Sequence, residues 1–108
     1  MNPKEREAQQ RNKVPLDLLE PAADEVIALA LASGAEKYGL RNFTQTPIKA
    51  RVYIGAIRRH TTAWLAGEDA DPNSGLSHLA HIGASVHVVL AAMEAGQFVD
   101  DRQASVHS

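Results

Sequence analysis

The groups best suited to chemistry lie together in the middle of the chain, in residues 58–81, RRHTTAWLAGEDADPNSGLSHLAH. An acidic run that includes Glu68 and Asp71 supplies hard oxygen ligands, which Mg²⁺ and Mn²⁺ prefer, with water and substrate phosphates completing the coordination shell. His78 and His81 follow within ten residues or so and share one helical face, because residues three apart are neighbours on a helix. Carboxylates and imidazoles are therefore expected to converge at one corner between two helices, where they would handle a phosphorylated nucleotide.

These residue types allow more than one use. As ligands, the imidazoles would shift the preference towards Mn²⁺ or another transition metal; alternatively, they hydrogen-bond phosphate or orient an attacking water. The acidic run also has a structural explanation, because Asp-Pro and Asn-Ser-Gly are ordinary turn and capping sequences. His60 is evenly balanced between a core histidine and a site residue. Of Arg58 and Arg59, one is expected to bind phosphate through its planar guanidinium and the other to be solvated.

Three helical patterns are expected to position these groups. They cover residues 21–38, 47–66 and 72–95, with Thr46 and Asp71 as the N-caps of the second and third helices. No β pattern of useful length is present. The prediction is an all-α, antiparallel helical bundle. Because three helices bury little surface alone, a fourth short helix or another subunit is expected to complete it, as a dimer or tetramer.

Glu25 is the preferred carboxylate of the first helix because it lies within an apolar stretch. Glu36 is about 16 Å further along the same helix, so the two cannot bind one metal ion, and Glu36 is expected to be solvated. Apolar residues of the first helix, and one stripe of the second, are expected to be buried. The residues concerned are Val26, Ile27, Leu29, Ala30 and Leu31, then Tyr53, Ile57, His60 and Trp64.

Composition limits the classes of function. The 108 residues suggest one domain, and a net charge of -2 with a pI near 6.2 gives no overall positive field for a nucleic-acid polymer. The absence of cysteine excludes disulfides and thiolate metal sites. No apolar run approaches the roughly 20 residues of a membrane span, and the start of the chain lacks an apolar signal region. A cytoplasmic protein with no membrane partner is expected.

The ends of the chain are predicted to differ from its middle. Residues 1–13 are expected to form a flexible arm, 14–96 a single helical domain, and 97–108 a polar tail that is frayed or lies on a partner subunit. Leu16, Leu18 and Leu19 are expected to pack on the bundle from an extended lead-in.

Three stretches, KVPLDLLEP, GAEKYGLRNF and IRRHTTAWLAGEDADPNSGLSHLAH, resemble the phage dATP/dGTP diphosphohydrolase family. These are small all-α proteins similar to the MazG-type nucleoside triphosphate pyrophosphohydrolases, and the resemblance covers about residues 13–95. It implies cleavage of a purine deoxynucleoside triphosphate to the monophosphate and pyrophosphate, with Mg²⁺ or Mn²⁺. The positions that match the family pattern are Lys37, Tyr38, Gly39, Asn42, Arg59, His60, Gly67, Glu68, Asp71, Ser74, Gly75, His78 and His81.

The resemblance also implies roles for these residues. Lys37 and Arg59 would hold the pyrophosphate, and Tyr38 or Phe43 would stack on the base. The expected catalytic residues are Glu68, Asp71, His78 and His81. The expected metal ligands are Glu68, Asp71 and Glu25. The expected substrate-binding residues are Lys37, Tyr38, Asn42, Arg59 and His60.

Two other functions stay open at this point. Phe43, Asn73 and Ser85 stand where the family usually has tryptophan, glutamate and asparagine. A binding module that sequesters a nucleotide signal without cleaving it is therefore the alternative. Turnover of dGTP with Mn²⁺ would indicate the hydrolase. Binding of cyclic nucleotides that are recovered intact would indicate the binding module. A helical oligomer without a ligand is disfavoured, because buried polar groups of the third helix need partners.

Overall fold

The computed structural model describes residues 2–11 and 14–103 and confirms the all-α expectation. The helices are α1 (Pro3–Gln10), α2 (Pro21–Tyr38), α3 (Ala50–Leu65) and α4 (His78–Glu94), with 3₁₀ turns at Leu16–Leu18 and Asn42–Thr44 and two strands, β1 (Ile48–Lys49) and β2 (Phe98–Val99). Within the described ranges, none of the helices has the length and apolar character needed to cross a membrane.

Helix α2 has the bounds that the sequence predicted. Pro21 lies in its first turn, where the missing N–H costs nothing, and Gly39 ends it with a φ of 91°, a conformation that favours glycine. Its packing differs from the prediction. Ala30 is buried and faces α4, but Val26 and Leu29 are exposed.

Helix α3 begins three residues later than predicted, because the chain first enters β1. Thr46, the predicted N-cap, instead donates its hydroxyl to the carbonyl oxygen of Asn42, at 2.9 Å. The first turn of α3 receives its side-chain acceptor from far along the sequence. The Oδ1 atom of Asp101 accepts a hydrogen bond from the backbone N–H of Arg51, at 2.8 Å. Asp101, 50 positions away in the sequence, thus takes the place of a local N-cap for α3.

The two short strands join the start of α3 to the end of α4. They run parallel, with Ile48 opposite Phe98 and Lys49 opposite Val99, and the N–H of Ile48 donates to the carbonyl of Gln97 at 2.8 Å. The described part of the predicted polar tail is therefore paired rather than frayed. Residues 104–108 of that tail lie outside the described residues, and the division into arm, domain and tail stays a prediction.

Helix α4 is central, since it contributes to both clusters of buried residues. Ala80 and Ala84 pack with α2, while Val88 and Ala92 pack with β1 and α3. Small side chains allow close approach. A Cβ at Gly83 would lie 2.8 Å from the side chain of Ile27, so glycine is needed where α2 meets α4.

Helix α1 supplies a fourth, short helix in place of part of the expected flexible arm. Asn2 caps it by accepting from the N–H of Glu5, at 2.8 Å. Its end is joined to α4 by an ion pair between Arg11 and Glu94, at 2.6 Å. Both side chains are more than half exposed, so this pair contributes little to stability.

Many large apolar side chains remain exposed. Leu16, Leu18 and Leu19 lie on the surface and do not pack on the bundle as predicted, and Trp64 of the predicted stripe is 40% exposed. The solvent-accessible area is 8308 Å², against about 5,900 Å² for a typical folded monomer of 11.7 kDa. The chain therefore exposes more surface than is typical of a monomer of its mass, and part of this surface is apolar.

The first prediction concerns assembly. The excess area, about 2,400 Å² on one chain, is more than the roughly 800 Å² that a standard protein interface buries on each partner. We expect a dimer or tetramer in light scattering coupled to size exclusion, at micromolar concentration. A mass of one chain, unchanged at the highest concentration reached, would contradict this expectation.

The second prediction concerns the distant cap of α3. Asp101→Ala removes the acceptor of the Arg51 N–H and should lower the free energy of unfolding by about 1 kcal/mol, the usual cost of losing a helix cap. Denaturant unfolding followed by circular dichroism measures the change. Asp100→Ala is the control, because Asp100 pairs only with the exposed Arg102. Equal effects of the two substitutions would show that Asp101 does not cap α3.

Candidate functional site

A structured turn, rather than a helix, follows α3. The predicted helix start at residue 72 is wrong, because the Oδ1 atom of Asp71 accepts from the backbone N–H of Asn73 at 2.7 Å and closes a local turn. The N–H of Asp71 then donates to the carbonyl of Leu76, at 2.8 Å. Ser77 is the observed N-cap of α4, accepting from the N–H of Leu79 at 3.1 Å. The turn places Asp71 against the histidines.

His78, the first residue of α4, is buried and bonded through both ring nitrogens. It is 4% exposed. Its Nε2 atom lies 2.7 Å from Oε1 of Glu68, and its Nδ1 atom lies 2.8 Å from Nδ1 of His60. Because a carboxylate only accepts, Nε2 of His78 carries the proton. In the neutral ring, Nδ1 is then an acceptor that faces His60.

His60 lies between the two histidines of α4, in contact with both His78 and His81. Its ring stacks on that of His81, with centroids 4.9 Å apart and planes 7° from parallel. Its Nδ1 atom is 3.8 Å from Oδ2 of Asp71. Nε2 of His81 in turn lies 2.7 Å from Oγ of Ser74. One hydrogen-bonded group thus joins α3, the turn and α4.

The surroundings favour neutral imidazole beside ionised carboxylate. Burial lowers the pKa of His60, and the nearby His81 and His78 lower it further. The backbone N–H of Asn73 lowers the pKa of the Asp71 carboxyl, because it hydrogen-bonds the charged form. At neutral pH the neutral ring of His60 therefore lies beside the ionised carboxylate of Asp71, an arrangement that serves either metal binding or proton transfer.

A cavity of about 960 Å³ opens beside this cluster, between α2, α3 and α4. All the predicted substrate-binding residues line it, and so do two of the four predicted catalytic residues. They are Lys37, Tyr38, Asn42, Arg59 and His60, with Asp71 and His81. A larger groove of about 1320 Å³ lies between α1 and the end of α4, but no histidine lines it. The cavity beside the histidines is therefore the candidate site.

Other predicted residues lie elsewhere. Glu68 and His78 are not among the lining residues and are bonded to each other. Glu25 is exposed on α2 and is not among the lining residues, whereas Glu36, the carboxylate that the sequence disfavoured, does line the cavity. His87 also lines it and meets Phe43 edge-on, with centroids 6.1 Å apart.

Three residues of the cluster could hold a metal ion. His60, Asp71 and His78 each offer one atom, and these atoms lie within 4.8 Å of one another. Two nitrogens and one oxygen suit Mn²⁺ and its transition-metal neighbours better than Mg²⁺, which favours oxygen ligands.

The comparisons with known proteins agree with the resemblance seen in the sequence. A family model described as "dATP/dGTP diphosphohydrolase, N-terminal" matches residues 3–102, and the chain belongs to this family. A protein of Salmonella phage PMBT28 named dATP/dGTP diphosphohydrolase is 30% identical over 93 residues, which are 86% of this chain and 31% of that relative. The chain thus spans about a third of the length of the relative. No solved structure matches.

The third prediction is a pH dependence of stability. Since the pKa of His60 is lower in the folded chain than its ordinary value near 6.5, the unfolded chain binds the proton first as pH falls. Stability is therefore complete above about pH 6.5 and declines below it. Urea unfolding at pH 7.5 and 5.5, with a chelator present, should show this loss.

His60→Asn should reduce the pH dependence of stability between pH 7.5 and 5.5. His87 lies outside the cluster, so His87→Asn should preserve that dependence. The contribution of Asp71 to stability falls in a different pH range. Because the carboxyl pKa of Asp71 is lowered in the folded chain, its contribution is lost only below the usual value of 3.8. An identical pH dependence in wild type and His60→Asn would contradict the assignment.

Proposed function

We propose that the chain hydrolyses a purine deoxynucleoside triphosphate, dGTP or dATP, to the monophosphate and pyrophosphate. The observation that carries the proposal is one cavity that combines three cationic side chains, Lys37, Arg41 and Arg59, with a wall of imidazole and carboxylate. The name of the phage relative supports the substrate class. If the chain is phage-encoded like that relative, it would act on the nucleotide pool of the host cytoplasm.

Each group has a role that its position supports. Lys37 and Arg59 would hold the phosphates, with the planar guanidinium of Arg59 able to bind two phosphate oxygens at once. Tyr38 or Phe43 would stack on the base, and Asn42 would hydrogen-bond the nucleotide. His81, which lines the cavity, would accept the proton of the water that attacks the phosphorus next to the sugar. The bond from that phosphorus to the bridging oxygen breaks, and pyrophosphate leaves.

A divalent ion, Mg²⁺ or Mn²⁺, would neutralise phosphate charge when bound. Asp71 is the predicted metal ligand whose position in the cavity wall best supports this role. Glu68 is bonded to His78, and Glu25 lies away from the cavity lining. The metal ligands of the proposal are therefore centred on Asp71 and the imidazoles beside it.

The direct experiment is a product analysis. The purified chain is incubated with dGTP, dATP, dCTP and dTTP in Mn²⁺ or Mg²⁺, and products are separated by anion exchange. Equal amounts of deoxynucleoside monophosphate and pyrophosphate, with purines preferred, are the expected result. Release of inorganic triphosphate, or no turnover of any nucleotide in either metal, would overturn the proposal.

The fourth prediction uses two adjacent arginines. Arg59 lines the cavity and Arg58 does not. Arg59→Ala should raise KM for dGTP about tenfold or more, since a charge-assisted hydrogen bond contributes about 1.5–3 kcal/mol. Arg58→Ala is the matched control and should leave KM unchanged. Steady-state kinetics measure both, and equal KM values in the two variants would remove Arg59 from the substrate site.

The fifth prediction concerns His81. His81→Ala should lower kcat by about 10²-fold, the usual scale for an acid–base group, with little change in melting temperature. His78→Ala should lower activity as well, but because His78 is buried it should also lower stability. Specific activity per folded molecule separates the two effects. Wild-type activity in folded His81→Ala would contradict the acid–base assignment.

Binding without cleavage is the second candidate function. The carboxylate of Glu68 is engaged by His78 outside the cavity lining, and one oxygen of Asp71 is engaged by the backbone of Asn73, which leaves Asp71 and Glu36 as the carboxylates of the lining. Such a cavity would retain a nucleotide signal without cleaving it. Calorimetry with dGTP and with cyclic nucleotides, followed by chromatography of the recovered ligand, tests this. Recovery of intact nucleotide after tight binding favours sequestration, and recovery of the monophosphate excludes it.

A further inference from the structure

We propose that His60, Asp71 and His78 form a binding site for a first-row transition-metal ion, and that Glu68 is a positioning residue for His78 rather than a ligand. This assignment differs from the carboxylate set of Glu68, Asp71 and Glu25 that the sequence suggested. It concerns metal binding by the chain itself and stands independently of nucleotide hydrolysis.

The distances between the donor atoms fit a shared ion. Nδ1 of His60 lies 2.8 Å from Nδ1 of His78 and 3.8 Å from Oδ2 of Asp71. Bonds of about 2.0–2.2 Å from one ion to nitrogen and oxygen place such donors roughly 3.0–3.5 Å apart. The two measured separations lie on either side of that range. All three donor atoms lie within 4.8 Å of one another, so an ion that bound them would draw the side chains of Asp71 and His78 closer together.

The hydrogen bond to Glu68 prepares His78 as a ligand. A metal-bound histidine almost always donates its other ring N–H to a carboxylate, a carbonyl or water, which fixes its tautomer and its orientation. Nε2 of His78 donates to Oε1 of Glu68, so the lone pair of Nδ1 points at His60. Because its carboxylate is engaged on the far side of the ring, Glu68 orients the ligand and does not share the ion.

His60 completes the set through its second tautomer. In the hydrogen-bonded arrangement its Nδ1 donates to His78; with the proton on Nε2 instead, both Nδ1 atoms present lone pairs to each other. A cation between them converts this repulsion into two bonds. Asp71, ionised and held by the N–H of Asn73, adds a negative charge beside the ion. The bound form therefore needs a change of tautomer and no rearrangement of the backbone.

The donor set indicates the kind of ion. Two imidazoles and one carboxylate suit Mn²⁺, Fe²⁺, Co²⁺ and Zn²⁺. The affinity of such a site rises from Mn²⁺ through Fe²⁺ to Co²⁺. Mg²⁺ dehydrates reluctantly and prefers oxygen, so it should bind weakly. His60 and Asp71 both line the cavity, which leaves coordination positions open on that side for water or phosphate oxygen.

The test is direct titration of the chelator-treated, dialysed chain with Co²⁺, Zn²⁺, Mn²⁺ and Mg²⁺. Calorimetry gives affinity and stoichiometry, and the visible absorption of bound Co²⁺ reports its ligands. We expect one ion per chain, with Co²⁺ and Zn²⁺ bound at least about 100-fold more tightly than Mg²⁺. Equal affinity for Mg²⁺ and Co²⁺, or no Co²⁺ binding, would overturn the proposal.

Four substitutions distinguish ligands from the positioning residue. His60→Gln and Asp71→Asn should abolish the Co²⁺ absorption. Glu68→Gln should preserve it while weakening affinity about 10- to 100-fold, the usual effect of losing a partner of a metal-bound histidine. Asp69→Asn is the matched control, because Asp69 supports His78 only through its backbone carbonyl, at 2.9 Å, and it should bind like wild type.

Circular dichroism confirms folding of each variant before titration. Loss of the Co²⁺ spectrum in Glu68→Gln, together with an unchanged spectrum in His60→Gln, would make Glu68 the ligand and refute the assignment. Tight Co²⁺ binding without dGTP turnover would support this site and remove the proposed hydrolysis. Turnover of dGTP with Mg²⁺ by a wild-type chain that binds no Co²⁺ would support the proposed hydrolysis and refute this metal site.

Discussion

A buried imidazole must have partners for its polar atoms, and in this chain that requirement governs the junction of α3 and α4. His78 begins α4 inside the protein, and both of its ring nitrogens are hydrogen-bonded. One bond reaches back to α3 and the other to the turn between the helices. An unsatisfied polar group at this depth would cost about 1–3 kcal/mol, a large fraction of the stability of a small domain. The same contacts that satisfy His78 also assemble the candidate site.

The rest of the bundle supports this junction with small side chains. Alanines and Gly83 on α4 let its neighbours approach closely, so the position of one helix fixes the other two. The result is a thin core with no large side chain fully buried among the described residues. Close backbone contact, rather than bulky packing, holds the histidines in register.

The sequence predicted correctly those features that depend on interactions between nearby residues, such as the ends of α2. Pro21 and Gly39 marked the ends of α2 correctly. The sequence left open whether His60 faces the histidines of α4, because that contact joins two helices. The start of α4 was missed because the side chain of Asp71 bonds within the turn, which competes with helix formation. Tertiary contacts explain the other misses. Neither the pairing of Ile48 with Phe98 nor the cavity beside Glu36 has a local signal.

The parallel pairing of β1 and β2 has a consequence for the order of folding. The first turn of α3 depends on Gln97 and Asp101, about 50 residues later in the chain. During synthesis, α2 and the body of α3 are available well before these partners leave the ribosome. Closing a loop of this length costs conformational entropy before any contact compensates for it. The start of α3 should therefore be among the last parts of the chain to become ordered, after α4 has docked.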